Sequence, residues 1–101
     1  MSKDLLLYVR TFFIKLRSKL LDLYYKYSIT GNKKSALKVL YDLTKIVFYE
    51  DYLISRYPNL EADELIACLE DCNFDLEKLR DRLKKLKGVN IDIIEIDLIS
   101  Y

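Results

Sequence analysis

Apolar residues recur at helical spacing along most of this chain. In residues 3–27, Leu6, Phe13, Leu20 and Tyr27 form one seven-spaced row and Val9, Leu16 and Leu23 a second beside it. Leu7, Ile14 and Leu21 form a third row that reaches partly round the cylinder. The pattern predicts a helix, with Ser2 as its N-cap and the polar cluster at 28–32 as its end. Its stripe is wider than one neighbour needs, so burial on two sides is expected, within the domain or against another chain. A second helix follows Asn32 and runs to about Tyr57, because no Gly or Pro interrupts Ala36, Leu37, Leu40, Leu43 and Val47 before Pro58. A break in it near residues 49–51 is an alternative. The two helices make a long hairpin around Gly31.

After Pro58 the predicted elements shorten: a helix at 62–71, a turn at Cys72, Asn73, Phe74 and Asp75, and a helix at 76–87 stopped by Gly88. In the last helix Leu76, Leu79, Leu83 and Leu86 keep the 3, 4, 3 spacing of one buried edge, with Asp75 as N-cap. The tail at 89–101 changes period. Ile91 and Ile93, then Ile94, Ile96 and Leu98, alternate with polar neighbours, which suits a strand with a bulge at 93–94. A lone strand after four helices needs a partner, so the tail either pairs with another chain or lies on its own bundle.

The fold class is therefore all-α, a long two-helix hairpin packed on a short-helix unit, with a strand-prone C-terminal tail. With 101 residues the chain suits a single domain, 1–101, divided into a hairpin region at 1–49, a short-helix region at 50–88 and a tail at 89–101. Net charge near +1 conceals a split: residues 1–49 hold ten Lys/Arg against Asp4, Asp22 and Asp42, hence +7, and residues 50–101 hold seven against thirteen Asp/Glu, hence −6. Packing of one half on the other, head-to-tail association, or an acidic partner for the front half each satisfies that polarity. No segment reads as a signal peptide or a membrane span: the most apolar run, at 5–16, is broken by Arg10 and Lys15. The expectation is a soluble intracellular protein, cytoplasmic or in a host cytoplasm. Abundant Lys, Ile, Leu and Tyr with little Gly, Pro or Ala fits an AT-rich genome, as in many viral and some archaeal chains.

Composition narrows the chemistry. The absence of histidine removes His-based triads and His metal ligands. Cys68 and Cys72, four apart in a helix, read as small hydrophobes at a helix interface, and two cysteines suit a reducing compartment. Glu61, Asp63 and Glu64 suit a helix N-terminus better than acid–base work. No phosphate-binding glycine loop and no EF-hand spacing occurs. No enzyme activity, cofactor or metal is expected.

One resemblance emerges from residues 50–87. Tyr57-Pro58 after a helix, Leu65, Ile66 and Leu69 in a short middle helix, Asn73 and Asp75 at a second turn, and Leu76, Leu79 and Leu83 in a last helix resemble a UBA-like three-helix domain of the CUE type. The resemblance implies a ubiquitin-binding surface made by a Met-Phe-Pro turn and a terminal Leu pair. Here Arg56 stands for the Met and Lys84 for the second Leu, leaving Tyr57, Pro58 and Leu83, and these departures argue against ubiquitin.

The functional expectation is a non-enzymatic protein–protein interaction module or small adaptor, self-associating as a homo-oligomer or binding another protein. Tyr57, Pro58 and Leu83 are candidate contacts if the UBA-like surface binds, and Ile94, Ile96 and Leu98 if the tail docks. Two alternatives remain: a CUE-like ubiquitin binder, and a small basic nucleic-acid-binding or transcription-modulating protein using Lys33, Lys34 and Lys38. A membrane-surface helix at 4–27 fits less well, because its broad stripe suits protein packing.

Overall fold

A computed structural model describes residues 2–92 and 94–95. Among the described residues four full α-helices follow in order: α1 (Ser2–Ile29), α2 (Lys33–Arg56), α3 (Ala62–Asp71) and α4 (Leu76–Lys84), with a 3-10 turn at Tyr57–Asn59. At 1.5 Å per residue α1 is about 42 Å long, so it spans nearly the whole 44 Å long axis of the molecule. The fold is the expected hairpin plus short-helix unit.

The hairpin turn is built by three residues. Gly31 takes φ +76, a conformation that costs side-chain-bearing residues dearly. The Thr30 hydroxyl donates to the carbonyls of Lys26 and Tyr27, satisfying the end of α1. The Asn32 side chain accepts from the Ser35 amide at 3.2 Å and so caps α2. No break occurs at residues 49–51: α2 is continuous because Ala36, Val39, Ile46, Tyr49 and Leu53 keep one face buried along its length.

Pro58 then closes the helix through the 3-10 turn. Glu61 caps α3, its carboxylate accepting from the Glu64 amide at 2.8 Å, and Asp75 caps α4 by accepting from Glu77 and Lys78. The fourth helix is shorter than its sequence suggests. It ends at Lys84 rather than 87, because the Lys85 and Leu86 amides turn back to Arg82 and Leu83 in a tighter turn. Leu86 stays buried all the same. Gly88 follows at φ +91, where a Cβ would lie 3.0 Å from Leu60 Cδ2.

One continuous core joins all four helices. Val9, Phe13 and Leu16 of α1 meet Ile46 and Leu53 of α2, Leu65 and Leu69 of α3, and Leu79 and Leu83 of α4. Ile91 and Ile94 join this core, and Ile91, Asp92, Ile94 and Glu95 have helical backbone. Arg80 Nε donates to Glu95 Oε1 at 2.6 Å, and the Asn90 amide donates to Tyr52 Oη at 2.7 Å. Residues 93 and 96–101, which carry most of the expected strand, lie outside the described residues.

Candidate functional site

The first helix is held from two sides. Toward α2, Arg17 donates to Glu50. Toward the short helices, Tyr8 Oη donates to Glu70 at 3.2 Å, Lys19 reaches the Phe74 carbonyl at 3.4 Å, and Phe12 stacks on Phe74 with ring centroids 5.2 Å apart. Two of the three apolar rows are covered in this way. The third is not: Leu7, Ile14 and Leu21 are 64%, 54% and 41% exposed. At 100° per residue this row lies across the helix from Val9 and Leu16, which are fully buried.

On α2, Leu37, Leu40, Tyr41 and Val47 are exposed in turn, opposite Val39, Ile46 and Leu53. Where the helices approach the Gly31 turn, Tyr24, Tyr27, Ala36, Leu37 and Leu40 line an open cavity of about 330 Å³, with Ser28 and Lys33 among its polar neighbours. The hairpin therefore carries its uncovered apolar surface on its outer side. From sequence no buried face is assigned to α2, so the exposure of Leu37, Leu40 and Val47 on its outer side is not foreseen there. The signal was present: Ala36, Val39, Leu43, Ile46, Glu50 and Leu53 alternate at spacings of three and four.

The residues singled out from sequence scatter. Tyr57 is half-buried and Pro58 exposed in the 3-10 turn. Leu83 and Ile94 are 0% and 1% exposed; both side chains serve the core and present no surface. Ile96 and Leu98 lie outside the described residues. Lys33, Lys34 and Lys38 are all exposed, and Lys38 Nζ pairs with Asp42 Oδ2 at 3.2 Å. Lys33 and Lys34 make no ion pair among the described residues.

The cysteines are buried and unpaired. Burial pushes the Cys68 thiol up to about 11 and also raises that of Cys72, whose Sγ donates to the Leu69 carbonyl. Such thiols are poor nucleophiles at neutral pH. Burial likewise pushes the Tyr49 phenol to about 12. Among the described residues no three His, Cys, Asp or Glu side chains gather closely enough to hold a metal ion, and no helix is long and apolar enough to cross a membrane.

No protein-family model, curated protein or solved structure matches this chain.

Proposed function

We propose that this chain is a non-enzymatic interaction protein whose partner is a second copy of itself, docked through the outward face of α1. The observation that supports this most is the row Leu7, Ile14 and Leu21, exposed on one side of a helix otherwise gripped on both flanks. Its spacing is symmetric about Ile14. Two antiparallel copies of α1 therefore set Ile14 against Ile14 and Leu7 against Leu21 of the other copy, as an isologous two-fold contact requires.

Charge favours the same arrangement. Asp4 lies in the first turn of α1 and Lys26 in its last, so antiparallel pairing brings opposite charges and opposite dipole ends together. Arg10 and Arg17 are drawn aside toward Glu50, while Thr11 and Ser18 offer small side chains next to the row. Leu7, Ile14, Leu21 and Tyr25, at roughly half exposure, present on the order of 400 Å² of mostly apolar area. That is below the ~800 Å² per partner of a standard stable interface, so the dimer is weak and forms in the micromolar range.

Cysteine trapping tests the geometry. Ile14→Cys crosslinks to itself under mild oxidation; Leu7→Cys alone does not, but a mixture of Leu7→Cys and Leu21→Cys does. Native Cys68 and Cys72, both buried, stay silent. Equal crosslinking of all single variants contradicts the arrangement.

The order of a helix, a Tyr-Pro turn and two short helices supports a UBA-like reading of residues 50–87. In that reading Leu83 is a core residue.

A further inference from the structure

We propose that the Gly31 end of the hairpin docks reversibly on an anionic lipid surface. Its aliphatic tip enters the headgroup layer while its lysines neutralise lipid charge. The last hydrogen bond tying α1 to the short-helix unit, among the described residues, is made by Lys19. Beyond it, in residues 24–41, only Ala36 and Val39 are buried. This end carries the most exposed large apolar side chain of the described surface, Ile29 at 84%, together with Leu37 at 66% and Tyr25 at 61%. The apolar cavity lies between its two helices.

Its charge has one sign. Between Asp22 and Asp42 the chain holds Lys26, Lys33, Lys34 and Lys38 and no acidic residue. Lys26, Lys33 and Lys34 make no ion pair among the described residues. Tyr24, Tyr25, Tyr27 and Tyr41 cluster at the same end, and tyrosine, apolar in body and polar at its tip, suits the membrane–water boundary. Apolar area and cationic charge on one surface are the two terms that sum to binding at an anionic bilayer.

Nucleic acid accounts for the lysines and, by base stacking, for the tyrosines. It leaves Ile29, Leu37 and Leu40 unexplained, since aliphatic side chains offer bases no plane to stack on, and residues 24–41 contain no arginine. The site shares Tyr25 and Lys26 with the α1 pairing, but Ile29, Lys33 and Lys34 lie outside the Leu7–Ile14–Leu21 row, so variants at those positions let either proposal fail alone.

Vesicle sedimentation with the full chain tests this directly. The chain sediments with phosphatidylcholine vesicles containing phosphatidylserine, remains free with phosphatidylcholine alone, and is released by high salt. Lys33→Gln with Lys34→Gln weakens binding about 30-fold, and Ile29→Asp weakens it at least tenfold, with helical circular dichroism unchanged in both. Three results overturn the proposal: no sedimentation with anionic vesicles, full binding by Ile29→Asp, or tighter binding to a nucleic-acid duplex than to those vesicles at matched salt.

Discussion

The Arg17 guanidinium on α1 donates to the Glu50 carboxylate on α2, 33 residues later in the chain. Glu50 is buried, and among the described residues the other cation near it is Arg10, 4.0 Å away and more than half exposed. Arg17 is one-third exposed, so solvent screening trims the strength of the pair. Glu50→Ala is expected to destabilise by about 1–2 kcal/mol in urea unfolding, leaving Arg17 unpartnered against the hairpin. Arg10→Ala is expected to change stability by less than about 0.5 kcal/mol. An Arg10→Ala loss equal to that of Glu50→Ala would show that Arg10, rather than Arg17, holds the carboxylate.

A second prediction concerns the turn between α3 and α4. Asn73 and Phe74 sit at φ +49 and +55, left-handed values that asparagine tolerates and phenylalanine resists. The stacking of Phe74 on Phe12 offsets that strain. Asn73→Gly should therefore stabilise the fold modestly, by about 0.5 kcal/mol. Phe74→Gly should destabilise it by more than about 1 kcal/mol, because lost packing outweighs relieved backbone. A Phe74→Gly variant as stable as the native chain would mean the stacking contributes nothing.

Asp42 gives a third. Its Oδ2 meets Lys38, but its Oδ1 is buried with no hydrogen-bond partner among the described residues. A buried acceptor left unpaired is costly, and an apolar side chain of similar size removes the cost. Asp42→Leu should raise the melting temperature by about 5 °C, corresponding to about 1 kcal/mol in a chain of this size. A fall would show that the Lys38 pairing outweighs the orphaned oxygen.

Alkaline pH gives a fourth. Cys68 and Tyr49 rise from ordinary values of 9.0 and 10.0 to about 11 and about 12, both chiefly through burial. Below pH 9 both groups are protonated in the folded and unfolded chain alike. Between pH 9 and 12 the unfolded chain releases protons that the folded chain keeps, so stability falls as pH rises through that window. Denaturation midpoints should be flat from pH 7 to 8.5 and drop above pH 9. Both thiols should resist a thiol reagent at pH 8 until the chain is unfolded.

How much of this was legible in the sequence differs from element to element. The helices at 33–56 and 62–71 were readable because their ends carry local chemistry: Asn32, Pro58, Glu61 and the turn residues before Asp75 act within a few positions of where they stand. The end of α4 was not readable at 87. Its last turn tightens to keep Leu86 buried ahead of Gly88, and that preference comes from the tertiary core. The excess width of the α1 stripe predicts burial on two sides, within the domain or against another chain, and the domain itself leaves the row Leu7, Ile14 and Leu21 exposed. Leu83 misled for the opposite reason. Its spacing fits a family surface motif and a buried helix edge equally well, and only the position of α4 against Val9, Phe13 and Leu53 distinguishes them.

Sedimentation equilibrium across a concentration series tests the central claim most directly, comparing the native chain with Ile14→Asp. The native chain should move from monomer toward twice the monomer mass in the micromolar range, and Ile14→Asp should remain monomeric with unchanged helical circular dichroism. A native chain that stays monomeric throughout, or an Ile14→Asp variant that associates as the native chain does, would contradict it.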